Sequence, residues 1–381
     1  MNTEQKIWKE SSGWEVISSC DLQESASLVF LFGELELLKS HERFQEIKTL
    51  YPNAGIIGCS TAGEIIGTEL FNDALVATAV SFKRTTVQFA RVRVEKMQDS
   101  ISSGKELADC LKKEGLAHVF ILSDGLNVNG SELARGLMSG LPEGVAVTGG
   151  LAGDQDRFRE TLIFSNSPPD RNMVGAIGFY GNKIKIGYGS MGGWDSFGSD
   201  RMVTRSEGNV LYELDGEPAL DLYKKYLGSQ SHGLPATGLF FPLNLRLEGN
   251  STNLVRTMLA VNEQDMSVTF AGDIPEGSYV RLMKANPERL VDGAFEAAKM
   301  SCQLFGSCVP DLAILVSCVG RKLVLKQRVE EELECVRQVL GENVAMAGFY
   351  SYGEICPATP LEKQCKLHNQ TMTVTVFSES E

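Results

Sequence analysis

Three segments of the chain follow one pattern: an apolar stretch, a loop, an amphipathic stretch and a second apolar stretch. They begin with LVFLFG (28–33), HVFILSDGLNVNG (118–130) and LAILVSCVGR (312–321). Their second apolar stretches run into GCSTAGEI, TGGLAGD and GFYSYGEI, where a carboxylate follows the first strand glycine by five or six residues. Helices of this length between apolar strands indicate βαβ crossovers. The pattern therefore predicts three parallel strand pairs.

The helical periodicity is clearest in VEEELECVRQVL, residues 329–340. Val329, Leu333, Val336 and Leu340 recur at i, i+4, i+7 and i+11, and Glu and Arg occupy most of the other positions. This spacing places the four apolar side chains on one face of a helix. We predict an amphipathic helix here, packed against a sheet.

Alternating apolar and polar residues predict antiparallel strands at 75–95, 175–190, 267–283 and 371–378. We therefore predict an α/β to α+β fold of two related halves, whose mixed sheets combine βαβ crossovers with antiparallel hairpins. The halves look related because GCSTAGEI and GFYSYGEI both end in Gly-Glu-Ile. A new helix after Pro218 places the junction near 205–215. The predicted domains are 25–207 and 208–378.

Composition restricts the class of protein. A chain of 381 residues with 43% hydrophobic and 22% charged residues is typical of a soluble protein of two domains. The net charge of −13 disfavours nucleic acid or an anionic membrane as a partner. No apolar stretch resembles a signal peptide or approaches the ~20 residues of a membrane span, so we expect a cytoplasmic protein. The nine scattered cysteines indicate reduced, buried thiols.

Glycine-rich loops at strand ends raise three chemical interpretations. A phosphate loop requires a lysine that GCSTAGEI and TGGLAGD both lack. A dinucleotide fingerprint requires a helix after the loop, whereas TGGLAGD leads into QDRFRETLIF, which is typical of a turn and a strand. A nucleophile elbow at Cys59 or Ser60 needs a histidine base, and none of the four histidines is placed beside it by sequence. We expect that the protein is not an enzyme.

Metal ligation is a further interpretation. Cys356, Cys365 and His368 offer two thiolates and an imidazole after the YSYGEI loop, although without the close spacing of a structural zinc site. The dipeptide Cys356-Pro357 also occurs where a thiolate ligates haem in sensor proteins. A metal or redox sensor built on these residues stays open as an alternative.

The remaining interpretation is a ligand site lined by backbone. Glycines at the strand ends allow backbone to approach a ligand closely, and the carboxylates that follow can orient it. Equally, these carboxylates can cap loops or pair with Arg157, Arg201 or Arg321. The residues that we expect to contact a ligand are Gly58, Gly63, Glu64, Gly149, Gly150, Asp154, Tyr352 and Glu354.

Four segments, in this order along the chain, carry a resemblance to a known family: GCSTAGEI, TGGLAGD, GFYSYGEI and LHNQTMTVT. They resemble segments of the FIST sensory proteins, which consist of an N-terminal and a C-terminal FIST domain. The resemblance covers residues 25–378. It implies an intracellular signal-input sensor that binds a small molecule and acts on a separate effector. GYGSMGGWDSFGSD and CQLFGSCVPDLAILVSCVGRK look most like the stand-alone branch that senses nitric oxide through haem.

That branch implies a haem cofactor and regulation of a histidine kinase or of a diguanylate cyclase or phosphodiesterase, hence two-component or cyclic di-GMP signalling. No short motif identifies the haem ligand, so the candidates are His232, His368 and Cys356. The alternative ligand is a small amino-acid-like metabolite, bound without haem. Glycine-rich loops with carboxylates would suit its ammonium group better than they suit haem propionates.

Overall fold

The three predicted crossovers are present, and each forms the centre of its own mixed sheet. The computed structural model describes residues 1–246, 253–303, 305, 309–359, 362 and 364–380. Within them the chain forms three similar units, which we call the first (2–81), second (86–180) and third (184–379) unit. The third unit contains a long insertion, residues 195–284, which we call the insert.

The first unit carries the N-terminal crossover. Leu28–Gly33 and Gly55–Ser60 pair in parallel across the two crossover helices, and Ala74–Ser81 returns antiparallel. Its elements are β1 (Asn2–Lys9), β2 (Gly13–Ser18), β3 (Leu28–Gly33), α1 (Leu35–Lys39), α2 (Glu42–Leu50), β4 (Gly55–Ser60), β5 (Glu64–Ile66), β6 (Glu69–Phe71) and β7 (Ala74–Ser81).

The second unit repeats this order, with a helix before its first parallel strand. The crossover helix begins at Asn129, whose side chain caps it by accepting from the amides of Ser131 and Glu132. The elements are β8 (Thr86–Arg93), α3 (Ser100–Asp109), β9 (Leu116–Ser123), α4 (Gly130–Gly140), β10 (Ala146–Leu151), β11 (Ile163–Ser165) and β12 (Met173–Tyr180).

The third unit has the same order, interrupted after its first strand by the insert. The periodicity at 329–340 is confirmed as a helix, Val329–Leu340, with all four predicted apolar residues buried. Outside the insert the elements are β13 (Ile184–Met191), α6 (Pro287–Cys302), β22 (Leu312–Cys318), α7 (Val319–Leu325), α8 (Val329–Leu340), β23 (Ala345–Ser351), β24 (Gly353–Pro357), β25 (Cys365–His368) and β26 (Met372–Glu379).

The insert forms a separate antiparallel sheet over its own core, in which Tyr223 and Phe270 are fully buried. Short 3-10 helices at Gly228–Gly233 and Ala236–Phe240 follow its helix. Its elements are β14 (Asp195–Glu207), β15 (Val210–Leu214), β16 (Glu217–Pro218), α5 (Ala219–Leu227), β17 (Leu243–Arg246), β18 (Asn253–Arg256), β19 (Met258–Asn262), β20 (Ser267–Phe270) and β21 (Tyr279–Lys284).

The units exchange strands in a closed cycle. The segment after the second parallel strand of each unit leaves its own sheet and pairs with the sheet of another unit. β5 of the first unit pairs with β23 of the third, β24 of the third pairs with β10 of the second, and β11 of the second pairs with β4 of the first. Each unit therefore extends a neighbouring sheet, the second unit with β11 alone and the first and third units with the pairs β5–β6 and β24–β25.

The three sheets enclose a common aromatic core. Along β3, β9 and β22 the buried side chains alternate, as a two-sided sheet requires. Phe30, Phe120 and Ile314 face inward to one shared cluster, whereas Leu31 and Ile121 pack outward against the helices. The ring centroids of Phe30 and Phe120 lie 5.4 Å apart, so the first and second units meet directly at the centre.

The predicted mixed fold with crossovers and hairpins is confirmed. One detail differs, because several consecutive strands belong to different sheets. The stretch 75–95 contains β7 and β8, and the stretch 175–190 contains β12 and β13, but neither pair forms a hairpin. The domain bounds 25–207 and 208–378 stay a prediction. Among the described residues, no helix is both long and apolar enough to cross a membrane.

One glycine in each crossover is required by the neighbouring strand. Gly58, Gly149 and Gly348 lie at equivalent register positions opposite Leu31, Ile121 and Leu315. A Cβ atom at these glycines would lie 1.8–1.9 Å from the carbonyl oxygen of the residue opposite. At these positions the neighbouring strand lies too close to leave room for a side chain. This close approach explains Gly58 and Gly149 without a ligand.

We predict that Gly149→Ala destabilises the protein by roughly 2–6 kcal/mol, since overpacking and backbone strain each cost about 1–3 kcal/mol. The φ of Gly149 is +146° and the added Cβ would meet the oxygen of Ile121 at 1.8 Å. Urea unfolding measures the difference. Gly115→Ala is the control, because its φ of +71° is also positive but its Cβ meets no atom within 4 Å. Equal losses in the two variants would contradict the close-approach explanation.

Candidate functional site

The loops that follow β4, β10 and β23 meet at one point, the three-loop junction (residues 60–64, 151–154 and 350–354). Three backbone hydrogen bonds close a cycle there. The amide of Ala62 donates to the oxygen of Tyr350 at 2.8 Å, that of Tyr352 to Leu151 at 3.2 Å, and that of Gly153 to Ser60 at 3.0 Å. The junction is therefore where all three strand exchanges begin.

Glu64 is buried in this junction, with none of its surface exposed. Thr61 Oγ1 donates to its Oε1 at 2.5 Å, whereas its Oε2 has no hydrogen-bond partner among the described residues. Burial raises the pKa of Glu64 to about 8, although the Thr61 hydrogen bond and the Lys322 ammonium oppose this. Lys322 Nζ itself donates to the carbonyl oxygen of Ala62.

Glu354 of the third unit accepts the same kind of hydrogen bond as Glu64. Ser351, three residues earlier, donates to its Oε1 at 2.7 Å, as Thr61 does to Glu64. The amide and hydroxyl of Thr371 donate to Oε2 at 3.1 and 2.9 Å. Burial raises the pKa of Glu354 to about 7, against these hydrogen bonds. The interaction ties the junction to the start of β26.

Asp154 is the corresponding carboxylate of the second unit. Its Oδ2 accepts from the amides of Arg159 and Glu160 at 2.9 and 3.1 Å, and its Oδ1 accepts from the hydroxyl of Tyr352. All three carboxylates thus bond to protein groups, and none of them lines the main cavities of the described structure. Arg157 and Arg321 pair with other carboxylates, Glu34 and Glu332.

Gly63 and Gly150 also face protein atoms at the junction. A Cβ atom at Gly63 would lie 2.9 Å from Lys322 Nζ, and one at Gly150 would lie 2.6 Å from a methyl carbon of Val316. Of the eight residues that we expected to contact a ligand, the structure places Tyr352 at a cavity and Asp154 directly behind it.

That cavity, the core–insert pocket, has a volume of about 690 Å³. One wall comes from the core, with Leu126, Val128 and Leu323, and the opposite wall comes from the insert. The residues of the insert that line it are Asn209, Gly233, Leu234, Pro235, Ala236, Leu239, Phe240, Met258, Leu259, Phe270, Ala271 and Gly272. A mostly apolar cleft of this size with a few polar groups is typical of a small-molecule site.

Tyr352 forms part of the floor of the core–insert pocket. Its ring stacks on Phe158, with centroids 4.4 Å apart and an interplanar angle of 16°. Because Asp154 accepts from its hydroxyl, the ring is fixed in this orientation. Burial and this hydrogen bond raise the pKa of Tyr352 well above its usual value, so it stays protonated.

A few polar side chains also line the core–insert pocket. Asn129 Nδ2 donates to Asp273 Oδ1 at 2.9 Å, and Asn209 Nδ2 donates to the oxygen of Phe270 at 2.7 Å. Asp156 and Lys326 supply opposite charges. Sequence reasoning missed most of this site, because its apolar walls come from segments that are distant in sequence. The apolar, Gly- and Pro-containing stretch 233–241 is the signal that could have indicated it.

The three haem-ligand candidates lie in different surroundings. His232 is exposed beside Gly233 of the pocket wall, and its Nδ1 lies 2.9 Å from the oxygen of Ser229. His368 is buried, its Nε2 lies 3.0 Å from the oxygen of Cys356, and burial lowers its pKa to about 4. Cys356 is fully buried and burial raises the pKa of its thiol. No cluster of three or more His, Cys, Asp or Glu able to hold a metal occurs within the described ranges.

Cys59 and Ser60 have surroundings that do not suit a nucleophile. Burial and the nearby Glu64 raise the pKa of the Cys59 thiol, whereas a reactive cysteine needs a lowered one. Ser60 Oγ is buried and accepts from the amide of Leu162 at 2.9 Å. Both residues thus serve the packing of β4.

Comparison with known families agrees with this architecture. Residues 27–217 match the FIST N domain, and residues 219–357 match the FIST C domain. The chain belongs to the FIST family. FIST domains are signal-transduction sensor domains rather than catalytic ones, and in this chain the core–insert pocket is formed by residues of both.

The FIST protein is also similar to the uncharacterized protein MJ1623 of Methanocaldococcus jannaschii. The two are 24% identical over 343 residues, which is 81% of this chain and 62% of that relative. The chain thus spans less than two thirds of the length of the curated relative that it matches.

We predict that Glu64→Gln stabilises this FIST protein increasingly as pH rises. A carboxyl whose pKa rises from 4.5 to about 8 on folding favours folding below pH 4.5, and this contribution is lost as pH rises to about 8. The stability difference between the Glu64→Gln variant and wild type should grow by more than about 1 kcal/mol between pH 5.5 and 8.5. Urea unfolding at both pH values measures it.

Glu69→Gln is the matched control, because Glu69 is an exposed carboxylate on the neighbouring strand β6. It should show no comparable change with pH. A Glu64→Gln variant whose stability parallels that of wild type from pH 5.5 to 8.5 would show that Glu64 is ionised in the folded protein.

Proposed function

We propose that the protein is an intracellular signal-input sensor whose small-molecule ligand binds in the core–insert pocket. The observation that carries this proposal is the composition of the pocket walls. One wall belongs to the three-unit core and the other to the insert, which has its own hydrophobic core. A ligand that contacts both walls stabilises one relative position of the two parts.

The attachment of the insert suits such a change of position. Its two connections to the core lie side by side, since Asp195 pairs with Lys284 at the start of β14 and the end of β21. Arg321 holds both connections by donating to the carbonyl oxygens of Gly192 and Leu290 at 2.9 and 2.7 Å. Besides this clamped edge, the insert contacts the core around the pocket and where Arg256 donates to the oxygen of Leu367. The clamped edge is the point about which we propose that the insert moves, as at a hinge.

The favoured ligand is haem that binds nitric oxide. The apolar walls suit a macrocycle, Lys326 suits a propionate carboxylate, and about 690 Å³ is within the usual range for a cofactor site. His232, next to Gly233 of the pocket lining, is the residue that would best ligate the iron, because an Nδ1–H that donates to the Ser229 oxygen leaves Nε2 free. Haem bound there would supply an iron that takes nitric oxide as a ligand.

His368 and Cys356 fit this role less well. The Nε2 atom of His368 is engaged with the carbonyl oxygen of Cys356, and both residues are buried within the sheet, whereas His232 is exposed. The same burial disfavours a metal or redox sensor built on Cys356, Cys365 and His368.

A sensor of an amino-acid-like metabolite is the second candidate. Asp156 and Lys326 both line the pocket, so a zwitterion could place its ammonium near one and its carboxylate near the other, with an apolar side chain between the walls. The support for an amino-acid-like ligand is therefore the pair of Asp156 and Lys326 in the pocket, and no longer the buried carboxylates of the three-loop junction.

The output that we propose is regulation of a separate histidine kinase, or of a diguanylate cyclase or phosphodiesterase. This rests on the resemblance of the sequence to the nitric-oxide-sensing branch. Thermodynamically, such coupling needs only that the ligand and the effector favour the same position of the insert.

We predict that protein produced with haem available shows a Soret band that shifts when nitric oxide is added without oxygen. His232→Ala should weaken haem binding at least tenfold in a titration of the protein with haemin, because it removes the nitrogen that would ligate the iron. His41→Ala is the control, since His41 is exposed at the start of α2, outside the pocket.

Protein that binds no haem would return the amino-acid ligand to first place, and thermal shifts with apolar amino acids would then test it. Full haem binding by His232→Ala would exclude His232 as the ligand. Leu239→Trp, which fills the pocket, should abolish binding of either ligand.

A further inference from the structure

A second large cavity lies on the other side of the contact between the insert and the second unit. It has a volume of about 930 Å³ and is formed by α4, by strands β17 and β18 of the insert, and by β25. We call it the α4 groove. Its lining shares no residue with that of the core–insert pocket, so the two are separate cavities.

Arg256 is the residue that distinguishes the α4 groove. Its side chain lines the groove, yet the residue is only 3% exposed. Its Nε donates to the oxygen of Asp273 at 3.1 Å, and its Nη1 donates to the oxygens of Val255 and Leu367 at 3.2 and 3.1 Å. Within the described ranges, Nη2 makes no hydrogen bond and no carboxylate lies within ion-pair distance.

A buried guanidinium without an anionic partner is unusual, because burying a charge is costly unless it is paired. Arg321 in the same chain shows the ordinary solution. It is fully buried, and its Nη2 lies 2.7 Å from Glu332. For Arg256, in contrast, burial lowers the pKa to about 10, and the more distant Asp273 opposes this only in part.

Other charged side chains also line the α4 groove. Arg135 and Lys366 line it together with Arg256, against the carboxylates of Glu143 and Asp273. Asp273 is in turn engaged through Oδ1 by the amide of Asn129. Arg135 pairs with Glu132 and Lys366 pairs with Glu362, so of these three cations Arg256 is the one that has no carboxylate within ion-pair distance among the described residues.

Beside the polar Ser131, Ser139 and Gln364, the α4 groove has an apolar part formed by Met138, Leu141, Leu245 and Leu254. We propose that the α4 groove is a second binding site, for an amphiphilic oxyanion whose carboxylate or phosphate binds Arg256 and whose apolar body lies against these side chains. A planar guanidinium with two free N–H groups matches either oxyanion. This site does not rest on the proposed function of the core–insert pocket.

Isothermal titration calorimetry tests the site with three probes of equal chain length: octanoate, octyl phosphate and 1-octanol. Wild-type protein should bind one or both anions at a single site and should bind octanol at least tenfold more weakly. The anion that binds more tightly identifies the preferred head group. Failure of both anions to bind, or equal binding of octanol, would overturn the proposal.

Variants locate the binding. Arg256→Met should weaken anion binding at least tenfold, because it removes the charge-assisted hydrogen bonds from the guanidinium to the anionic head group. Arg328→Met, at a partly exposed arginine outside the groove, should leave it unchanged. Since Arg256→Met removes a buried group, Met138→Trp serves as a second variant that blocks the groove from α4 and should also abolish binding.

The core–insert pocket could also accept these probes, and Leu239→Trp separates the two cavities. Anion binding that survives Leu239→Trp and is lost in Arg256→Met or Met138→Trp supports the α4 groove. Binding that is lost in Leu239→Trp and kept in the other two variants would overturn the proposal.

Discussion

The cyclic exchange of strands is the constraint on which the rest of the structure depends. Each unit contributes β5, β11 or β24 to a sheet that is not its own, and the three contributions start from the same junction. Three backbone segments therefore cross at the junction, where their amide and carbonyl groups are buried and need hydrogen-bond partners. The junction provides them through a cycle of amide hydrogen bonds and through carboxylates that bond to neighbouring hydroxyls and amides. Changes at Glu64, Asp154 or Glu354 would thus affect all three sheets.

The same architecture explains the position of the core–insert pocket. The three-unit core has its helices outside and its aromatic residues inside, and it needs no further layer to be complete. The insert is added between β13 and α6 and packs its own core around Tyr223 and Phe270. Apolar surface left between two such bodies is a usual place for a small-molecule site. Arg321, with Glu332, fixes the connections of the insert. The side of the insert that lines the pocket is therefore the side whose position a ligand would change.

How much the sequence could predict follows from the distance over which each interaction acts. The crossovers and helix 329–340 were predictable, because their periodicity lies within one segment. The repeat at Gly58 and Gly149 was also visible, but its cause was not, since the carbonyls of Leu31 and Ile121 become neighbours only when the strands pair. The carboxylates after the glycines were also noticed, with ligand contact and loop capping both left open, and the structure shows each of them bonded to neighbouring protein groups. The core–insert pocket and Arg256 depend on contacts between distant segments, and no local pattern indicates such contacts.

The exchange also has a consequence for how the chain is made. β10 gains its partner β24 only after about two hundred further residues have been synthesised, and β5 gains β23 after almost three hundred. Until then the nascent chain carries open sheet edges of the kind that pair with other chains. The high sequence separation of these contacts implies slow folding, completed only when the C-terminal strands arrive. Such a protein would depend on chaperones that shield its early edges, and truncation of the last unit would leave the first two as aggregation-prone fragments rather than as a smaller sensor.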